Sequence, residues 1–533
     1  MSVGRQVARA TGLIIFITLV SKLTGFSRTV VQAYAFGANC QTDAFVAATV
    51  YPSLLFAGIN GAITTTFIPL YTEIKERRGR EAAVQYTNTL FTVLFAALII
   101  LEVVGIVLAG VIQPLYLPGW VGQYCGGEPK LLLTLQLTWV MLPALIFMGL
   151  SGVQAGILQA ENDFAWPAGI GIPQNFLFIA AILLMEQHYG IFAAAVGTLV
   201  GGMSYVIWLA IPLRTRHGYR YQMRFTLQDP ELRRMGRMVI PVFLSTFVGQ
   251  AGYIVDRILA TSLKAGSVTA LQYSSLVNNT VLGLFVTALV TALYPTLSRY
   301  IAQQDVAGFV AANRRSLALL TVVTMPITIG VIVLRTPLIA AIYQRGAFTS
   351  AATGATAFAL AYFSVGLVAL AYTSLLPRAF FALQDTRTPT TYGMVAVAVN
   401  IVADLLLVHP LRQGGLALGT SIAQWALAAF LLVQLRRRIG PLGGGRLALT
   451  FAKSLVASVV MGVTVWALFR YTLRLVPPHA TLLGITHLFV IMLVGAGLYG
   501  LLVWFFRIEE VGYLLTLLRE GYRRISPSTR PLA

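Results

Sequence analysis

The sequence predicts an all-α polytopic membrane protein: about fourteen transmembrane helices, forming two six-helix lobes related by an internal repeat, plus two C-terminal helices. Three observations carry this. Of 533 residues, 57% are hydrophobic and only 11% charged, against about 25% charged in a soluble chain, so the bilayer has to be part of the solvent. Apolar stretches long enough to span, roughly 20 residues each, recur from end to end. Sequence landmarks also repeat at nearly one spacing. Pro69 and Pro295 are 226 positions apart, Asn175 and Asn400 are 225 apart, and Pro167/Pro389 and Gly197/Gly419 are each 222 apart.

Hydropathy places the spans near 10–36, 43–71, 84–116, 131–159, 166–186, 190–213, 236–262, 268–298, 315–343, 354–382, 389–408, 414–435, 448–473 and 481–506. The first is a permanent span and not a cleaved signal peptide, because Lys22 and Arg28 interrupt it. Spans 1–6 and 7–12 read as copies of one unit. Six is even, so the copies share an orientation, as in transporters that place substrate between parallel repeats. The expected divisions are 1–225, 226–440, two added spans in 441–510, and a tail at 511–533.

The net charge of +20 is spread over short segments between apolar runs, not gathered in a patch, which excludes nucleic-acid binding. Lys75, Arg77, Arg78 and Arg80 follow span 2. Arg214, Arg216, Arg220, Arg224, Arg233, Arg234 and Arg237 follow span 6, and Arg436, Arg437, Arg438 and Arg446 follow span 12. Arg519, Arg523 and Arg524 lie in the tail. The intervening loops are poorer in Lys and Arg. By the positive-inside rule both termini are cytoplasmic. Cys40 and Cys125 fall in outside loops, either as one bridge or, more simply, as two unpaired thiols.

Charged groups inside spans are costly and mark function. Lys22 lies about 18 Å along span 1, near mid-bilayer, facing water or an anion. Arg28 is nearer the outer side, where snorkelling competes. Asp43 pairs with one of them or caps span 2 with Thr42. A second constellation joins Asp256 in span 7, Asn400 and Asp404 in span 11, and Thr420 in span 12, with Leu416 one turn before Thr420. Hard oxygen ligands of this kind suit a small cation such as Na+. The structural alternative is a polar network pinning spans 7, 11 and 12, with Asp256 paired to Arg257. Glu102 stands alone in span 3. The five histidines are too scattered for a metal site. No Gly-rich phosphate loop, nucleophile triad or zinc motif appears, so the chain reads as a non-enzyme.

Ser21-Lys22-Leu23-Thr24-Gly25-Phe26-Ser27-Arg28, Phe36-Gly37-Ala38 and Thr42-Asp43-Ala44-Phe45 resemble the MurJ/MviN lipid II flippases, of the multidrug/oligosaccharidyl-lipid/polysaccharide exporter superfamily. The likeness continues at Phe67-Ile68-Pro69, Tyr294-Pro295-Thr296-Leu297-Ser298, Tyr343-Gln344-Arg345-Gly346-Ala347-Phe348 and Gln384-Asp385-Thr386-Arg387-Thr388-Pro389. The resemblance implies two lobes around a cationic cavity and a groove for a polyprenyl tail formed by spans 13 and 14. It implies that Lys22, Arg28 and Asp43 serve substrate, and that Na+ is coordinated by the second constellation, including the Leu416 carbonyl. Expected partners are lipid II or a related undecaprenyl-linked substrate, membrane lipids and cell-wall synthesis proteins, with a working monomer in the plasma membrane. The expected activity is flipping of the precursor by alternating access, coupled to cation binding or membrane potential. The alternatives are export of another undecaprenyl-linked glycan and cation-coupled multidrug export. The chain departs from the pattern at Leu276, where many relatives are basic, at Leu54–Gly61, which lacks an arginine pair, and at Thr29, in place of an acid.

Overall fold

Backbone polar groups in a bilayer must be satisfied within the segment, which selects helices. In a computed structural model describing residues 3–226, 228–472 and 482–508, every predicted span is helical. The first unit comprises residues 1–269 with 346–348. It begins with α1 (Val3–Phe36) and α2 (Cys40–Ala62), which passes through a π-helical turn at Ile63–Phe67 into α3 (Ile68–Tyr116). A short hairpin, β1 (Tyr124–Cys125) against β2 (Glu128–Pro129), leads into α4 (Lys130–Met141) and α5 (Ala144–Ala160). Then come α6 (Ala165–Ala168), α7 (Gly171–Tyr189), α8 (Phe192–Thr215), α9 (Pro230–Gly249) and α10 (Ala251–Ala260). Its core packs Phe67, Tyr71, Tyr86, Ile157 and Leu209.

The second unit comprises residues 270–345 and 349–533. Its helices are α11 (Ser267–Ala302), α12 (Val306–Val333), α13 (Arg335–Tyr343), α14 (Ser350–Val365), α15 (Leu367–Ala382), α16 (Arg387–Leu411) and α17 (Gln413–Ile439). The two added helices, α18 (Gly444–Thr472) and α19 (Leu482–Phe505), pack Met461, Val465, Ile491 and Val503 beside Val322 and Leu334 of the α12 region.

The helical class holds, but the count of fourteen is not established. Among the described residues eleven helices are long and apolar enough to span, or twelve if α14 and α15, bent by 46°, form one span. The predicted seventh span is split: α9 opens with Glu231, Arg233, Arg234 and Arg237, and the helix breaks at Gln250 before α10. The basic loop expected after span 2 is also helical. It continues α3 except for one left-handed break at Gly79, φ 83°. The tail 511–533, with Arg519, Arg523 and Arg524, lies outside the described residues, as does the loop 473–481.

The unpaired-thiol reading is corrected: Cys40 and Cys125 form a disulfide. It ties the start of α2 to the hairpin before α4.

Two glycines of the sequence motifs meet in the first unit. Gly37 (φ +66°) and Gly346 (φ +58°) adopt left-handed backbone, where a Cβ would collide with the carbonyls of Ala347 and Tyr34 respectively. The Ala347 N–H donates to the Tyr34 carbonyl at 2.8 Å.

Candidate functional site

On α1, Ser21, Thr24, Gly25 and Arg28 recur every three to four residues and so share one face. That face meets Gly171, Asn175 and Phe178 of α7, which recur likewise. Asn175 Nδ2 donates to Thr24 Oγ1 at 3.1 Å and to the Ser21 carbonyl at 3.4 Å. A Cβ on Gly171 would stand 2.6 Å from Ser21 Oγ, so glycine here lets that hydroxyl keep its place. At the end of this seam the Arg28 guanidinium lies 3.8 Å from the centroid of the Phe178 ring, a cation–π contact that fixes its direction. Arg28 is half-buried and Lys22, one position off the seam, is exposed. The two cations therefore project from different faces of α1. Among the described residues neither has a carboxylate partner.

Asp43 pairs with neither of them, contrary to the sequence expectation. It is buried, and its Oδ2 lies 3.4 Å from Nζ of Lys130, also buried. Lys130 in turn stands 3.8 Å from the centroid of the Trp120 ring. Asp43 Oδ2 accepts the Gly266 N–H at 2.7 Å, and Oδ1 accepts the N–H and hydroxyl of Thr269 at 2.9 and 2.7 Å. Both oxygens are thus engaged, and the carboxylate sits at the N-terminal turn of α11, where a negative charge is favoured. The cap of α2 is supplied by Asn39, whose Oδ1 accepts the Thr42 N–H at 3.1 Å. Lys130 escapes sequence reasoning because a lysine opening a span is expected to snorkel to the interface.

Four of the five candidate cation ligands lie on one helix pair. Asn400 Nδ2 donates to Asp404 Oδ2 at 2.8 Å on α16, and Asp404 is fully buried. Gly415 and Gly419, four apart on α17, bring that helix against the Leu407 carbonyl and the Asp404 carboxylate; a Cβ on either would collide. The Leu416 carbonyl accepts the Thr420 hydroxyl at 3.1 Å. One carboxylate, one amide, one hydroxyl and one carbonyl form a hard oxygen set of the type Na+ takes, so the residues present fit such an ion. Asp256 lies on α10 in the first unit. The neighbouring Arg257 donates to the Tyr253 hydroxyl at 2.8 Å and the Val268 carbonyl at 3.3 Å.

The equivalent pair in the first unit, α7 and α8, is built the same way without the acid. Gly197 and Gly201 of α8 close on Phe178 and Gln174. Leu276, on α11, is half-buried. Glu102 is half-buried on α3.

Residues 32–486 match the family described as Lipid II flippase MurJ. The chain is 29% identical over 524 residues to the probable lipid II flippase MurJ of Rhizobium tropici, covering 96% of each. It is 28% identical to the lipid II flippase MurJ of Burkholderia cenocepacia, covering 79% of this chain and 82% of that one. Among solved structures, a lipid II flippase MurJ in an inward closed conformation superposes with a TM-score of 0.77 at 23% identity, covering 93% of this chain and 99% of that one. An inward-facing multidrug resistance MATE family transporter of the MOP superfamily gives 0.67 at 15% identity, covering 81% and 98%. At these identities the two structures speak to the fold alone.

Proposed function

The chain belongs to the lipid II flippase MurJ family, and from that premise we propose that it moves lipid II, a polyprenyl-pyrophosphate-linked peptidoglycan precursor, from the cytoplasmic to the outer leaflet of a bacterial plasma membrane. It is a multi-pass membrane transporter and not an enzyme. The observation that carries the substrate reading is Arg28, half-buried within a spanning helix and held against Phe178, with Lys22 as a second cation on another face of the same helix. Two cations within a spanning helix, with no carboxylate partner among the described residues, call for an anion, and a pyrophosphate supplies it. Arg28 offers a planar fork pre-set by Phe178. Asp43 acts through Lys130 and the start of α11 and does not itself meet the head group.

The substrate site opens alternately to the two sides of the membrane. Na+, held by Asn400, Asp404, Thr420 and the Leu416 carbonyl, favours one of these states. An ion shifts such an equilibrium only by its difference in affinity for the two. Asp256 stays a candidate ligand on sequence grounds. A monomer carries the whole site, and cell-wall synthesis proteins supply and consume the substrate. The disulfide supports an orientation independent of loop charge. A bridge persists on the oxidising side, and Cys40 follows the first span, so the N-terminus is cytoplasmic.

Translocation of fluorescent lipid II in proteoliposomes tests this reading. The expected result is flipping that Arg28→Ala slows at least tenfold, and a sodium dependence that Asp404→Asn removes. Unaltered flipping by Arg28→Ala refutes the pyrophosphate site, and an unchanged sodium response in Asp404→Asn refutes the coupling.

A further inference from the structure

A second constellation, in the first unit, is not used by the transport reading. A cavity of about 360 Å³ opens among α3, α5, α8 and the extended segment that follows α8; its lining includes Phe91, Gln154, Leu213, Arg214, Tyr219 and Arg220. The extended segment is a fixed wall. The Tyr219 hydroxyl donates to Asn88 Oδ1 at 2.6 Å, the Tyr221 and Thr92 hydroxyls share a hydrogen bond at 2.8 Å, and the Phe91 and Tyr221 rings pack at 5.2 Å.

Two features of the lining ask for a ligand. Gln154 is 6% exposed, and its Oε1 accepts no hydrogen bond among the described residues. A buried acceptor normally has a partner. It sits six residues before the end of α5, about 9 Å in from that helix end. The second feature is charge. Some cations at this end of the unit are matched, Lys75 with Glu161 at 2.8 Å, Arg78 with Glu231 at 3.2 Å, Arg216 with Asp163 at 3.4 Å and Arg234 with Glu73 at 3.1 Å; Arg80, Arg224, Arg233 and Arg237 have no carboxylate partner among the described residues, and what sets Arg214 and Arg220 apart is their place on the cavity lining. Arg214 and Arg220, both exposed on the cavity lining, have no carboxylate partner among the described residues.

We propose that this cavity binds a hydroxyl-bearing phosphate ester. The phosphate is held by Arg214 and Arg220, and a hydroxyl donates to Gln154 Oε1. The volume lies in the range of small-ligand pockets, about 300–1,000 Å³, and holds a head group, not a whole lipid. Two sources share this chemistry: the head group of phosphatidylglycerol, drawn from the leaflet beside the basic end of the unit, and a soluble glycerol phosphate. The site is separate from the lipid II reading and stands or falls without it.

The test is ligand titration of the delipidated full chain in detergent, read by native mass spectrometry. The probes are dioctanoyl phosphatidylglycerol, dioctanoyl phosphatidylcholine and glycerol 3-phosphate. The expected result is saturable binding of phosphatidylglycerol but not phosphatidylcholine. Arg214→Gln with Arg220→Gln weakens it at least tenfold, Gln154→Leu weakens it several-fold, and Arg216→Gln, which alters a paired cation, leaves it unchanged. Glycerol 3-phosphate competing at similar concentration identifies the soluble ester as the ligand; failure to compete identifies the lipid. If the double variant does not fold, the two single arginine variants and Gln154→Leu decide. Absence of saturable binding by both phosphate probes, or binding indifferent to these replacements, overturns the proposal.

Discussion

At the scale of single residues, the sequence shows which polar groups are out of place but not what they meet. Asp43 is conspicuous at the head of an apolar run, and its pairing with Lys22 or Arg28 is the natural expectation from proximity along the chain. The actual partner, Lys130, is 87 positions away and is brought in by the hairpin that Cys125 anchors. Asn400 and Asp404 were legible as a pair because four residues make one helical turn. Their tight enclosure by Gly415 and Gly419 depends on how α17 lies on α16. The Asp43–Lys130 pair gives a direct prediction. Removing one partner of a buried ion pair strands the other charge and costs about 3–5 kcal/mol. Lys130→Ala should therefore lower stability by that order in unfolding followed in detergent. In a double-mutant cycle, Asp43→Asn with Lys130→Ala should cost clearly less than the two single changes added together. Strict additivity would show that the two groups are not coupled.

At the scale of elements, span positions were legible because a run of about 20 apolar residues has few alternatives in a bilayer. Breaks within them were not. Gly79 is exposed with nothing packed on it, and its left-handed backbone is one that glycine adopts freely, but a lone glycine in a basic run does not announce a break; nor does Gln250, where the predicted seventh span parts. The link between α15 and α16 shows how a motif works outside the membrane. In Gln384-Asp385-Thr386-Arg387-Thr388-Pro389, the Asp385 carboxylate accepts the Thr388 hydroxyl at 2.6 Å and the Arg387 and Thr388 N–H groups at 3.0 Å each. It also meets Arg438, at the end of α17, at 2.7 Å. The Thr388 hydroxyl and N–H, with Arg438, hold this carboxyl below its ordinary value of 3.8. A carboxylate so held adds stability above its unfolded pKa, and that contribution is lost as pH falls through the lowered folded value. Thermal midpoints measured from pH 7 downward should therefore show a loss that begins below about pH 4 and that shrinks in Asp385→Asn. An identical acid profile in the variant would remove the carboxylate from the account.

At the scale of the whole molecule, composition alone establishes the membrane class, and the landmark spacing points to two similar six-helix halves. The compact units nonetheless divide at 269/270, whereas the sequence repeat turns over near 225. The reason is local: α9 packs on α2 and α3, so helices that open the second copy lie in the first unit. The disulfide is hard to read in the sequence because two cysteines in a long chain carry no spacing signature; what joins them is the return of α3 and the hairpin to the head of α2. Orientation is a property at this scale. A membrane-impermeant maleimide applied to intact cells should label Cys40, the more accessible thiol, in Cys125→Ser, and should fail to label a cysteine introduced at Thr215. The reverse pattern would invert the topology. Outward movement of lipid II is read by expressing the chain in a bacterium depleted of its own lipid II flippase and measuring lipid II exposed on the outer leaflet. Restored exposure and growth are expected, both lost on Lys22→Ala or Arg28→Ala. No exposure, with the protein verified in the membrane, would contradict that movement.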